Sequence, residues 1–134
     1  MTNKTKKTDA PVRKKVRISD LQPTYKRLEL IHPNPEYDLE GAWVELCPRA
    51  ASLDYMLTAM EIQNIDVDQL NARERLALLT KLTASCMTGW DEDSFGGPFS
   101  VEAAADLMQE APNLWIRDVV EASLSEESDF FKTA

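Results

Sequence analysis

The sequence is poor in the residues that hold small secreted domains and metal sites together. It contains two cysteines, one histidine and four glycines in 134 residues. Two cysteines are too few for a disulfide scaffold, and one histidine without CxxC or HxxxH spacing argues against a zinc site. No apolar run approaches the roughly 20 residues that span a bilayer, which excludes a transmembrane helix. The first 17 residues lack the apolar core of a signal peptide, so secretion is not expected.

What the sequence does contain fits one soluble globular domain. The mass of 15.1 kDa, the 43% hydrophobic content and the mean hydropathy of −0.37 are ordinary for such a domain. A chain of this length can bury a core without disulfides or metals. Cys47 and Cys86 both lie in apolar segments, so we expect buried thiols in a reducing compartment.

Charge is distributed unevenly along the chain. Residues 1–17 hold seven basic residues and one acidic residue, a net charge of +6. Because the whole chain carries −8, residues 18–134 carry −14. The Lys- and Thr-rich segment 1–17 cannot bury enough apolar area to fold, and it is predicted to be a disordered basic arm. Residues 18–134 are predicted to form a single domain with a short acidic C-terminal tail from Ser125 onward.

Two segments near the N-terminus of this domain have the period of β-strands. Residues 25–32 place Leu28 and Leu30 on one face, and residues 41–47 alternate with Ala42, Val44 and Leu46 on one face. A loop with two prolines separates them, which predicts an antiparallel hairpin. An isolated hairpin is only marginally stable in water, so we expect it to pack on other elements.

From residue 48 onward the apolar residues recur at helical spacing and predict four helices. Pro48 suits the first turn of the first helix, which should end near Asn64. Asn71 can cap the second helix in a capping box with Glu74, and Gly89 should end it. Each helix has an apolar stripe that is expected to pack on one core: Leu53, Met56, Leu57 and Met60; Leu76, Leu79 and Leu82; Val101, Ala104, Ala105 and Met108 after a Ser100 cap; and Ile116, Val120 and Leu124 after an Asn113 cap. The fold class predicted is therefore α+β, an N-terminal β-hairpin followed by a mainly α-helical body of about four helices.

The segment 88–99 is predicted to be a loop, because it combines glycines and a proline with Trp90, Phe95 and Phe99. The aromatic residues are expected to fix it to the core. The same loop partly matches an EF-hand, with suitable residues at Asp91, Asp93, Gly96 and Glu102. Phe95 offers no ligand oxygen at the fifth position, however, and Pro98 lacks an N–H. An acidic turn without metal is therefore favoured over a calcium site.

No arrangement of residues indicates catalysis. His32 is expected to be a loop histidine, since nothing in the spacing places a cysteine beside it as a nucleophile. Phosphate-binding and nucleophile-elbow motifs are absent from the sequence. We therefore expect neither an enzyme nor a cofactor.

A resemblance to a known family rests on two segments, 78–91 and 97–104. Their core consists of Thr88, Gly89, Trp90, Asp91, Pro98, Phe99 and Ser100. It resembles the tail assembly chaperones of bacteriophages with long non-contractile tails, in which a helix runs into a "tGWd" turn, followed by a "pFs" cap and an alanine-rich helix. Residues 113–117 and 129–131 correspond to the end of that pattern. The resemblance covers residues 41–131.

The resemblance implies a protein of the host cell cytoplasm that binds the tape-measure protein during tail assembly and is absent from the mature virion. The tail tube protein and a second copy of this chain are further candidate partners, and binding to a membrane or to nucleic acid is not expected. A ribosomal frameshift near the gene's end often gives a longer product in such phages. Phe130-Phe131-Lys132 could be encoded by a run of T followed by A, and homopolymeric codons let a ribosome re-pair after sliding by one base.

The candidate partner-binding residues are the aromatic ones Trp90, Phe95, Phe130 and Phe131. Two other functions stay open. One is a structural tail or neck component of the virion, which would persist in assembled particles. The other is a small regulator that binds nucleic acid through the basic arm, although that arm lacks aromatic residues for base stacking and the body is acidic.

Overall fold

The computed structural model describes residues 13, 15–23, 25–126 and 131–133. Over these residues the chain has the predicted α+β fold, with strands β1 (Leu21–Pro23), β2 (Lys26–Glu29), β3 (Trp43–Leu46), β4 (Met87–Trp90) and β5 (Phe131–Thr133). The helices are α1 (Leu53–Gln63), α2 (Ala72–Ala84), α3 (Glu92–Phe95), α4 (Val101–Met108) and α5 (Leu114–Leu124). Single 3-10 turns lie at Ile18–Asp20, Arg49–Ala51, Val67–Gln69 and Ala111–Asn113.

The predicted hairpin is confirmed. Strands β2 and β3 pair antiparallel, with Leu28 opposite Val44. Ala42, Val44 and Leu46 are all buried, whereas the two residues between them are half-buried, as the alternation predicts. Glu40 and Gly41 both have positive φ, at 55° and 77°, which suits the tight turn that leads into β3.

A third strand joins this sheet where a loop was predicted, so the loop prediction for residues 88–99 was wrong at its start. Strand β4 pairs antiparallel with β3, placing Val44 opposite Trp90 and Leu46 opposite Met87. The backbone N–H of Cys47 donates to the Cys86 carbonyl at 2.7 Å, just beyond the pairing. The free edge of β3 supplies backbone partners that local sequence cannot reveal, and it outweighs the turn preference of Gly89.

The helix caps follow the sequence, with three corrections. Gly89 does not end the second helix: α2 ends at Ala84 with Ser85 as its C-cap, and Gly89 pairs with β3. Asn71 and Glu74 form the predicted capping box, and Ser100 accepts from the Ala103 N–H at 3.0 Å. Pro48 does not open the first helix: a 3-10 turn follows it, and Ser52 caps α1 by accepting from Tyr55. Asn113 precedes α5 as predicted, but its side chain makes no capping hydrogen bond.

The core lies between one face of the three-stranded sheet and helices α2, α4 and α5. The largest fully buried side chains include Leu46, Met108, Leu124, Val44 and Val120. The predicted stripes of α4 and α5 face this core: in α4 the last three of its four residues are buried and the first is half-buried, and in α5 all three are buried.

Helix α2 does not bury the leucine stripe that was predicted for it. Leu79 is 49% exposed, whereas Thr80, Thr83 and Ala84 are buried. The hydroxyls of Thr80 and Thr83 donate to carbonyls one turn earlier, at 2.7 and 3.1 Å. Because those polar atoms are satisfied, the small side chains can face the core and allow α4 and α5 to approach closely.

The two chain ends contribute a separate two-stranded sheet. Strand β1 pairs antiparallel with β5, so residues 131–133 are ordered within the region predicted as an acidic tail. Most of the predicted basic arm lies outside the described residues; of its last residues, Arg13, Lys15, Val16 and Arg17 are described and exposed.

Candidate protein-binding surface

Helix α1 exposes the apolar stripe that the sequence placed in the core. Its four members are exposed by 66%, 56%, 48% and 54%: Leu53, Met56, Leu57 and Met60. We call these four residues the α1 stripe. Their helical spacing agrees with the structure, but the prediction that they pack on the core was wrong.

The reason is that α1 packs through its other side. Thr58 is its buried residue, and Tyr55, Ala59 and Ile62 are half-buried around it. Two residues along a helix correspond to about 200° around its axis. Met56 and Met60 therefore lie almost opposite Thr58 and face away from the body.

Two polar contacts fix α1 in this orientation. At its start, the Ser52 hydroxyl donates to the Ser85 carbonyl at 2.9 Å in a buried hydrogen bond. Near its end, Glu61 pairs with Lys81 of α2 at 3.5 Å. The buried bond is the stronger constraint, since exposed ion pairs contribute little. Turning the α1 stripe inward would break the contact at Ser52.

The α1 stripe has the properties of a protein-binding surface. It covers two helical turns, about 10 Å along the axis, without a polar side chain between its members on that face. Large contiguous apolar patches on soluble monomers often mark binding sites, which makes this row of four exposed apolar side chains a candidate. Two of its four residues are methionines, whose flexible side chains adapt to different partners.

The surroundings of the α1 stripe are acidic. Residues 53–70 contain Asp54, Glu61, Asp66 and Asp68 but neither lysine nor arginine. All four acidic residues are exposed. Lys81, from α2, neutralises Glu61 in part. The surface therefore combines an apolar centre with an excess of negative charge.

Two of the four aromatic residues predicted to bind a partner lie outside the α1 stripe. Trp90 is only 6% exposed and Phe95 is half-buried, so the structure places both within the packing of the domain. Phe130 lies outside the described residues, and Phe131 is described only as part of the β5 backbone. Contact of these four residues with a partner stays a prediction.

The residues that carry the family resemblance form a strand, a turn and a helix start. Trp90 stacks on Phe95 with ring centroids 4.3 Å apart, and it packs edge-to-face with Phe99, with ring centroids 5.4 Å apart. The Trp90 indole N–H donates to the Gly97 carbonyl at 2.9 Å. The predicted anchoring of this segment is confirmed for Trp90, while Phe99 is only half-buried.

The partial EF-hand match has a different backbone from a calcium loop. Glu92–Phe95 form a turn of helix, and the Asp91 carboxylate accepts from the Ser94 hydroxyl at 2.9 Å. A calcium loop would instead direct alternating side chains toward one centre. Across the described part of the chain, no group of three or more histidine, cysteine, aspartate or glutamate residues is placed to hold a metal ion.

His32 lies in the loop after β2, as predicted. Its Nδ1 accepts from the Asn34 N–H at 2.9 Å. The ring contacts Tyr37 and Trp115 edge-on, with centroids 4.8 and 5.2 Å away. These contacts hold the imidazole as a packing element of the loop.

Both cysteines are buried free thiols, as the sequence predicts. Burial raises the pKa of Cys86 from 9.0 to about 12, and it also raises the pKa of Cys47. In the folded chain Cys86 therefore stays protonated at pH values where an unfolded chain would lose the proton.

This difference predicts a loss of stability at alkaline pH. Above the unfolded pKa of 9.0 and below the folded value of about 12, the unfolded chain binds fewer protons, so the free energy of unfolding falls as pH rises. We expect the melting temperature of the wild type to fall more steeply between these pH values than that of Cys86→Ala. Equal slopes in thermal melts of the two proteins would contradict the assignment.

No protein-family model, no curated protein and no solved structure matches this chain. Among the helices that the structure describes, none is both long and apolar enough to cross a bilayer.

Proposed function

We propose that this protein is a tail assembly chaperone of a bacteriophage with a long non-contractile tail, and that it binds the tape-measure protein and keeps it soluble. The family resemblance of residues 41–131 suggests the partner. The α1 stripe is the observation that carries the proposal, because it offers four exposed apolar side chains on a face that the fold leaves open.

The physical task of such a chaperone fits the charge of this chain. A tape-measure protein is long and helical, and its apolar stripes would associate before the tail tube encloses them. A small protein that covers those stripes with its own apolar face removes that driving force. The net charge of −14 on residues 18–134 would then keep neighbouring complexes apart and soluble.

Co-expression with the tape-measure protein encoded in the same phage genome tests the proposal. We expect the tape-measure protein to be soluble and to co-purify with this chain, and to aggregate without it. A double variant, Met56→Glu with Met60→Glu, should abolish this protection because it places charge in the apolar centre. Ile31→Glu, which adds one negative charge at a residue that is 76% exposed elsewhere, should preserve it.

Two results would contradict the proposal. One is a tape-measure protein that is equally soluble with and without this chain. The other is stoichiometric amounts of this protein in purified virions, measured by mass spectrometry, which would favour a structural tail or neck component. Retention on DNA that salt abolishes would instead favour the nucleic-acid regulator.

A further inference from the structure

We propose that the α1 stripe binds an amphipathic helix whose apolar stripe is flanked by lysine or arginine residues, and that it recognises this pattern rather than one sequence. The identity of the biological partner rests on the proposed function. The chemistry of the bound segment rests on the geometry and charge of α1 alone.

The spacing of the α1 stripe favours a helix as the bound element. Its residues recur at i, i+3, i+4 and i+7, which forms the ridges that interlock with those of a second helix. Every backbone N–H of α1 beyond its first turn is directed into the helix itself, so α1 has no free edge to which a strand could add. Apolar side chains on a facing helix can fill the spaces between Leu53, Met56 and Met60.

The acidic residues next to the α1 stripe favour basic residues along the flanks of the bound helix. Asp54 and Glu61 are seven residues apart and lie along the same edge, beside Leu57. Lys81 neutralises Glu61 in part through an exposed contact of 3.5 Å, while Asp54 has no ion-pair partner among the described residues. The opposite edge, at Ala59 and Gln63, is uncharged. A basic residue facing the acidic edge therefore gains attraction, whereas an acidic one is repelled.

The same charges argue against two other occupants. In a two-fold antiparallel pairing of two copies, Asp54 of one copy would face Glu61 of the other, and the two acidic bodies would repel each other. An anionic membrane surface would be repelled in the same way. Neither occupant offers the positive charge that the edge of α1 favours.

The two methionines indicate recognition of a pattern. Met56 and Met60 can change rotamer at little cost, so they fit partners with different apolar side chains. A surface of this kind can bind many similar helical segments along one long chain. A β-branched or aromatic surface at the same positions would be more selective.

Two designed helical peptides of about 20 residues provide the test, a length at which helices form with some stability in water. Both carry the same leucine stripe; one has lysines along its flanks and the other has glutamates. Isothermal titration calorimetry with the full-length protein should give an affinity at least about fivefold higher for the lysine peptide than for the glutamate peptide. This difference in affinity should decrease as salt is added. Met56→Glu should weaken binding of the lysine peptide by at least about tenfold, and Ile31→Glu should leave its affinity unchanged.

A matched pair of charge variants separates local recognition from the net charge of the protein. Asp54→Asn with Glu61→Gln should reduce the preference for the lysine peptide. Glu102→Gln with Asp106→Asn, which removes the same charge from exposed positions on α4, should not. A thermal melt of each variant checks its fold, and Met56→Gln replaces Met56→Glu if the latter lowers the melting temperature.

Three outcomes would overturn the inference: equal affinity for both peptides, an equal loss of preference in both charge variants, or a dimer in sedimentation analysis that Met56→Glu dissociates. Failure of the proposed function is a separate result. Peptide binding with the expected preference but no effect on the tape-measure protein leaves the inference standing and removes the function. A tape-measure protein that this chain protects, together with equal affinity for the two peptides, leaves the function standing and removes the inference.

Discussion

Replacing Trp90 with alanine is expected to lower the free energy of unfolding by about 3–5 kcal/mol, the range for truncating a large core aromatic residue. Trp90 ends strand β4 and is 6% exposed. Truncation would open a cavity, remove the stacking on Phe95, and leave the Gly97 carbonyl without its indole donor. The pairing of β4 with β3 and the turn that follows both depend on this side chain.

Thermal or urea unfolding followed by circular dichroism measures the effect. Trp90→Phe is the control, because it keeps an aromatic ring beside Phe95 but loses the hydrogen bond to Gly97, which is worth about 1 kcal/mol. We expect it to cost clearly less than Trp90→Ala. A melting curve for Trp90→Ala that barely shifts would show that the side chain does not anchor this segment.

The second large effect compares two leucines that the sequence alone does not distinguish. Leu46→Ala should cost about 2–5 kcal/mol, because Leu46 is 0% exposed in strand β3. Leu57→Ala should change the free energy of unfolding by no more than about 0.5 kcal/mol, since Leu57 is 48% exposed on α1. Both substitutions remove the same atoms, so the difference between them measures tertiary burial.

Urea titrations of both variants, fitted with a common m-value, provide this measurement. Similar losses at the two positions would mean that the α1 stripe is covered in solution, by a second copy or by another part of the chain. Repeating the Leu57→Ala titration at several protein concentrations separates these cases, because only association makes stability depend on concentration.

Features that depend only on neighbours along the chain could be predicted from the sequence. The alternation around Val44 is set by the pleat of a strand. The capping box of Asn71 and Glu74 satisfies backbone groups within one turn. The stripes of α4 and α5 follow from helical period and from the hydrophobic effect, which a sequence expresses directly. The same local signals predicted the buried state of Cys86 and Trp90.

Long-range contacts determine which of these segments join a sheet and which helix faces are buried. Gly89 became part of strand β4 because the edge of β3 was free, and β5 formed because β1 offered a partner at the other end of the chain. The amphipathic pattern of α1 predicts that Met56 and Met60 share a face, but it does not indicate whether that face packs on the core. Helix α1 has a second face of small and mixed side chains around Thr58 that packs toward the body, and the Ser52 hydroxyl donates to the Ser85 carbonyl in this arrangement. The choice between the two faces depends on long-range contacts, so the exposure of the α1 stripe is determined only once the whole chain has folded.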